Sequence, residues 1–202
     1  MVYSANIHSQ GTSITSKIAN TKYCNDRSIV NGGTITSWNF TFTPLGYGTN
    51  NTVYAPARRL GTGGQNGTSW SNLNSTPQYD CPNDSRDAFT LSISNGGTSG
   101  YGNNKLTYPI GLLTADELTF SGVNYGIPYN NYFLYVNDYY WTMSAFYYNT
   151  DHSCVFDIFS NGELSCNYVA DVLPKTFPVI SLKENVLVSG GDGHAQTPYV
   201  IQ

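Results

Sequence analysis

YYWTMSAFYYNTDHSCVFDIFSNGELSCNYVADVLPKTFPVISL, residues 139–182, is the stretch on which the reading of the whole chain turns. Its ends read as strands: YYWTMS (139–144) is aromatic and apolar, and VISL (179–182) is an apolar exit. Between them Asn161-Gly162 is a strong short-range hairpin signal, with VFDIF (155–159) and ELSCNY (163–168) as its arms. Residues 146–154 and 166–177 follow neither strand nor helix periodicity. The expectation is a fixed frame around displayed content. Trp141, Met143, the alternate apolar residues of 155–159 and those of 179–182 form the frame, and 146–154 and 166–177 are displayed.

Register decides what the two cysteines of this stretch can do. A two-residue loop at Asn161-Gly162 sets Cys154 opposite Val169 and Cys166 opposite Asp157, so a bridge between them needs a longer loop or a bulge. The sequence leaves bridge and free thiols equally open. Cys24 and Cys81 each lie beside turn residues, Asn25-Asp26 and Pro82-Asn83, and are the favoured disulfide in a chain whose cysteine count is even.

Upstream, residues 125–148 hold eleven aromatics in twenty-four positions, more than one core face accommodates, so some rings are expected to line a surface. Tyr140 or Trp141 is buried, according to register. The clearest helix signal is at 113–122, where Thr114 and Glu117 have capping-box spacing and Gly122 stands at the C-terminal end. Asp116 and Glu117 suit the first turn of a helix, which accounts for both without acid–base chemistry.

In the first half, TITSWNFTF (34–42) alternates as one half-buried strand with Trp38, Phe40 and Phe42 on one face. Residues 52–55 read as a short strand. Turn residues fill 61–87, a long loop that Cys81 would pin and that Trp70 and Leu73 would anchor. AFTLSIS (88–94) is a strand. The Gly-rich piece at 95–104 lacks the Lys-Ser/Thr and the helix of a phosphate-binding loop. Beyond 182, residues 186–188 and 199–201 read as closing strands around a Gly-rich turn.

Composition narrows the class. Of the 202 residues 11% are charged, against about 25% in an average soluble protein. The formal net charge of -4 offers no basic stripe, so no nucleic-acid partner is expected. No apolar run is long enough to cross a bilayer, and residues 1–10 lack the basic-then-apolar pattern of a signal peptide. No C-x-x-C or H-E-x-x-H frame holds a metal, and Asp192 in GGDGH lacks a spaced set of acidic companions for calcium. His152, Asp151 or Asp157, and Cys154 are not set in any nucleophile motif. No metal or cofactor is expected, and no catalysis.

Several of these segments, taken in order, resemble a known family. LTYPIGLLTADE (106–117), YYWTMS (139–144), SNGEL (160–164), FPVISLK (177–183) and a G-D-G…PYVI tail look like gut bacterial and phage proteins with a C-type-lectin-like fold, the fold also used by formylglycine-generating enzymes. In that family a tryptophan-bearing strand and an R-P-V-I-S-L strand frame the site. The last hundred residues carry the resemblance; the first hundred match only near YCND (23–26) and YDCP (79–82). Where the family has Arg before Pro178, this chain has Phe177.

The content of 146–177 is similar to the variable region of proteins diversified by retroelements that randomise adenines in Asn codons. Such codons never yield Lys, Glu, Gln, Met or Trp. Glu163 and Lys175 would therefore be invariant, whereas Phe146, Tyr147, Tyr148, Asp151, His152, Ser153, Cys154, Asn167, Tyr168, Ala170, Asp171 and Leu173 fall in the reachable set. The resemblance implies one α+β domain over 1–202, of short antiparallel strands, one or two short helices and long loops. It implies ligand binding by Phe146, Tyr147, Tyr148, Asp151, His152, Ser153, Asp157, Asn167, Tyr168, Asp171, Leu173 and Phe177. The partner would be a protein or glycan receptor on a cell surface, met from a virion or a bacterial surface, with no insertion into membrane and the oligomeric state left open. An undiversified adhesin or carbohydrate-binding module would use the same fold. An enzyme of the formylglycine-generating kind would need a reactive cysteine pair, for which Cys154 and Cys166 are the candidates.

Overall fold

A computed structural model describes residues 17–29, 33–36, 39–42, 52–61, 75–83, 87–89, 106, 108–148, 152–192, 197 and 199–201, the stretches 33–36 and 39–42 by their pairing only. The expected anchors Trp70 and Leu73, the 95–104 segment and Asp151 lie outside these residues.

The hairpin forms where the sequence places it, with a different turn. The Gly162 amide donates to Phe159 O at 2.8 Å and the Phe159 amide to Glu163 O at 2.9 Å, so the loop is residues 160–162. Gly162 takes φ 82°, the left-handed conformation that closes a three-residue loop. Asn161 Oδ1 accepts from the Glu163 amide at 3.1 Å and steadies the exit. A side chain at 162 would also collide with the chain, since its Cβ would lie 1.8 Å from Tyr129 O. The extra loop residue moves the register by one: Cys154 pairs with Tyr168, Phe156 with Cys166 and Ile158 with Leu164. This corrects the expected opposition of Cys154 to Val169 and of Cys166 to Asp157. A one-residue shift exchanges faces, so Cys154 and Cys166 now share one, and both are free thiols.

The arms, β7 (Ser153–Ile158) and β8 (Leu164–Tyr168), belong to a four-stranded sheet. With β4 (Thr52–Val53) and β6 (Tyr140–Tyr148) they run in the order β4-β6-β7-β8, every neighbour antiparallel. The expected strand at 139–144 therefore extends to Tyr148 and takes in residues assigned to displayed content. Its pairing with β7 is interrupted between Trp141 and Ala145, and again between Ala145 and Tyr147.

The first interruption explains why YYWTMS carries hydroxyls at its centre. Thr142 Oγ1 donates to Phe156 O at 2.8 Å and accepts from the Ser144 amide at 3.1 Å. The Met143 amide turns to Leu113 O at 2.9 Å, and Ser144 Oγ accepts from the Ala115 amide at 2.9 Å. Buried Thr142 and Ser144 are thus satisfied, and the bulge holds the start of α1 (Ala115–Phe120) on the sheet. The helix bears out its sequence signal: Thr114 and Glu117 make both bonds of the capping box, and Gly122 follows at φ 107°.

Asp116 has a role the helix signal did not contain. Arg59, in a single π-helical turn at Ala57–Gly61, grips it with Nε at 2.7 Å and Nη2 at 2.6 Å and reaches Asp26 with Nη1 at 2.5 Å. All three are well covered, and losing one member of such a buried cluster costs roughly 3–5 kcal/mol. The expected disulfide is present, Cys24 to Cys81 with Cα atoms 5.6 Å apart. It pins the end of the long loop, which is also held by the Thr76 amide on Arg59 O at 3.1 Å and the Gln78 amide on Asp116 Oδ1 at 2.9 Å.

Shorter pairings complete the frame. β1 (Tyr23–Cys24) pairs with β5 (Ala88–Phe89), and β9 (Val188–Gly190) with β10 (Val200–Ile201). The run read as one strand at 34–42 is two, β2 (Gly33–Thr36) and β3 (Asn39–Phe42), paired so that Thr36 faces Asn39. The alternation of 34–42 could not reveal the reversal inside it. Residues 179–182 form single bridges, Val179 to Gly111 and Leu182 to Ile18, in place of a strand. Tyr23 lies across Gly111 and donates to Pro109 O at 2.9 Å and Val179 O at 3.1 Å, tying the early chain to that exit. The whole is a small mixed α+β fold of mostly antiparallel strands with few short helices.

Candidate functional site

The register divides the sheet into two faces of opposite character. One carries Val53, Tyr140, Tyr147, Cys154, Phe156, Ile158 and Leu164, all buried in the core, with Cys166 and Tyr168 packed at its margin. The other carries Thr52, Trp141, Ala145, Tyr148, Ser153, Val155, Asp157, Ser165 and Asn167. The first is a tight aromatic interior: Phe146 meets Phe156 at 4.7 Å between ring centroids and Tyr125 at 5.5 Å. Burying rings of this size supplies a large part of the folding free energy, about 25 cal/mol per Å² removed from water.

This division sorts the expected ligand contacts. Phe146 is 0% exposed and Tyr147 5%, so neither is displayed; both are core. The second interruption in β6 pairing, between Ala145 and Tyr147, is the physical reason, because a bulge lets two consecutive residues face inward. Tyr147 is hydrogen-bonded to Tyr168, and burial first, that bond second, pushes its phenol up. Tyr168 keeps an accessible edge, and exposed His152 packs on it with ring centroids 4.4 Å apart. Phe177, half-buried, meets Tyr140 edge-on at 5.3 Å and so supports the frame. Of Tyr140 and Trp141, it is Tyr140 that is buried, at 1% exposure.

Tyr148, Ser153 and Asn167 are brought together on the second face, and Asp157 lies among them at a deeper level. Asp157 is 0% exposed, which corrects its expected place as a ligand contact. Its Oδ2 accepts from Asn167 Nδ2 at 2.7 Å, while Oδ1 has no partner among the described residues. Burial is the main influence on its carboxyl, pushing it up to about 7; Asn167 opposes the rise, and the charges of Asp171 and Glu163 add to it. Asp157 therefore holds Asn167 in place from below.

The segment after β8 is fixed at both ends. The Val169 amide donates to Ser153 O at 3.0 Å, the Lys175 amide to Tyr139 O at 2.8 Å, and the Trp141 amide to Lys175 O at 2.9 Å. Lys175 Nζ is also paired with Asp138, which lowers that carboxyl. Because Val169 is tied to β7 and Lys175 to the other side of β6, the residues between them span the sheet's width. They present Val172 at 94% exposure and Leu173 at 67%, with Asp171 exposed beside them.

At the β4 end of the second face is a pocket of about 310 Å³, whose lining includes Thr52, Tyr54, Ala145, Tyr148, Ser153 and Val155. Thr52, Tyr54, Ala145 and Val155 were not foreseen. No local signal could have found them, since the pairing of Thr52 with Tyr148 is long-range.

Cys154 is a buried thiol beside Cys166, which is half-buried. The Cys166 hydrogen bond and burial push the Cys154 thiol up, away from the thiolate a nucleophile requires. Tyr125 Oη donates to Cys166 Sγ at 3.7 Å, a further contact of a packed interior. The Asp192 turn is closed by a hydrogen bond from Thr197 Oγ1, and no group of three or more metal-ligating side chains occurs among the described residues.

Comparison with protein-family models, curated proteins and solved structures finds no match to this chain.

Proposed function

We propose that the protein binds a receptor or ligand through a diversified surface on a C-type-lectin-like scaffold, in phage receptor binding or bacterial surface display. The observation that carries the reading is the asymmetry of the sheet. Phe146, Tyr147, Cys154 and Phe156 are closed into the core, while Tyr148, Ser153 and Asn167 share the other face. Beside it, the exposed Val172 and Leu173 stand on a segment whose ends are hydrogen-bonded to the sheet. Side chains in those places can change while the ladder and core beneath them stay the same.

Glu163 and Lys175, the two residues of 146–177 that randomised Asn codons cannot produce, both act in the frame. Glu163 closes the hairpin through its backbone, and Lys175 bridges to β6. An adhesin or carbohydrate-binding module of the same fold without diversification is the second reading, and it would employ the same face. The experiment is cell binding by the fluorescently labelled protein on a panel of intact bacteria, with the triple variant Tyr148→Ala, Ser153→Ala, Leu173→Ala as comparison. Loss of binding with an unchanged Tm supports the reading. Undiminished binding, or failure of the wild-type protein to bind any cell, contradicts it.

A further inference from the structure

The pocket bordered by Tyr54 and Tyr148 has a chemistry of its own. Tyr54, Tyr148 and Ser153 bring hydroxyls to it, the two tyrosines their rings as well, and Ala145 and Val155 small apolar surface, while the buried Thr52, Tyr147 and Cys154 complete the lining. No charged side chain among the described residues lines it. A charged ligand group would lose its hydration there without gaining a counter-charge. An aliphatic side chain from a protein partner would cover the hydroxyls without answering them, at a cost for each one left unpaired. A ring with an apolar face and hydroxyls around its rim satisfies both kinds of surface: the face stacks on tyrosine and the rim exchanges donors and acceptors with the hydroxyls.

At about 310 Å³ the volume is at the small end of pockets that take organic ligands, roughly 300–1,000 Å³. The pocket is also built on strands. Thr52 pairs with Tyr148, Tyr148 with Ser153, and Ala145 with Val155, so its base is set by the same ladder that orders the core.

We infer that this pocket is a subsite for a neutral pyranose, a terminal sugar of a surface glycan, bound by stacking and hydroxyl hydrogen bonds with no metal ion. The inference rests on the proposal that this face of the sheet is the binding surface, and it commits that surface to glycan at its β4 end.

The test is saturation-transfer NMR of the full chain with a panel of neutral methyl hexopyranosides at millimolar concentration, repeated with Tyr54→Ala, Tyr148→Ala and Ala145→Leu. The last variant fills the pocket and keeps both tyrosines, which covers the case in which Tyr54→Ala does not fold. Transfer to at least one glycoside, weakened tenfold or more in each folded variant, is the expected result. The inference is overturned if no glycoside receives saturation, or if the glycosides bind equally well to Ala145→Leu. Should that happen while the triple variant of the previous section still loses cell binding, the binding face stands and the sugar does not. Cell binding abolished by Ala145→Leu and not competed by any glycoside would assign the pocket to a protein side chain.

Discussion

Asn167 Nδ2 donates to Asp157 Oδ2 at 2.7 Å across the β7–β8 pair, joining a half-buried amide to a carboxyl that is 0% exposed. The arrangement places a proton-binding group directly beneath the surface that the protein is proposed to present, and it has a measurable pH signature.

Asp157 stands at about 7 in the folded chain against an ordinary 3.8. The native state therefore holds a proton that the unfolded chain has released between those values. Stability attributable to this group is greatest below pH 4, declines as pH rises through 7, and is flat above it. At about 1.4 kcal/mol per pH unit the full difference is on the order of 4 kcal/mol. Asp157→Asn, which keeps the hydrogen bond to Asn167 within reach and has no charge to bury, should flatten the urea-denaturation midpoint between pH 5 and pH 8, to within roughly 1 kcal/mol of stability. A midpoint for the wild-type protein that rises across the same interval would show that Asp157 is ionised and satisfied in the fold.

Two adjacent tyrosines should behave oppositely. Tyr147 is buried with Phe146 and Tyr168, whereas Tyr148 is half-buried on the other face. Tyr147→Ala is expected to cost about 3–5 kcal/mol, in the range of large aromatic truncations in cores. Tyr148→Ala should cost about 1 kcal/mol or less. Equilibrium urea unfolding of the two variants compares them directly, and equal costs would mean that the faces are wrongly assigned.

The difference between those two residues also marks how far the sequence could be read. The helix was legible because Thr114 and Glu117 act on their own turn. So was the existence of the hairpin, from Asn161-Gly162. Its register was not, because the Asn-Gly pair that favours a two-residue turn also fits a three-residue loop whose last residue is a left-handed glycine, and one residue exchanges the faces of the strand. Phe146 and Tyr147 both turn inward because β6 is bulged, and the first of its bulges is held by Leu113 and Ala115 from another part of the chain. Asp116 suits the first turn of its helix and is also held by Arg59, a partner no local pattern names.

Gly162 should tolerate no replacement. Gly162→Ala meets both the positive φ and the Tyr129 carbonyl, so a loss well above 1 kcal/mol is expected, read as a fall in Tm. A Tm within a degree of wild type would refute the three-residue loop and the register that follows from it.

The four cysteines should separate into two chemical classes. Cys24 and Cys81 close a loop with a sequence separation of 57, a constraint on the unfolded chain worth on the order of 4 kcal/mol. Cys24→Ser with Cys81→Ser should lose about that much, and a reducing agent should reproduce the loss. Under native, non-reducing conditions Cys154, buried beside Cys166, should resist alkylation, and both should label in denaturant, as mass spectrometry would report. Recovery of a Cys154–Cys166 crosslinked peptide from the unreduced native protein would contradict the assignment.

The central claim is that one face of the sheet varies while the other is kept, and independent copies of this gene from the population that carries it test it most directly. Sequenced across codons 139–182, the copies should differ at Tyr148, Asp151, His152, Ser153, Asn167, Asp171 and Leu173, and should agree at Tyr140, Phe146, Tyr147, Phe156, Glu163 and Lys175. Substitutions spread evenly over both sets, or concentrated in the second, would contradict the account.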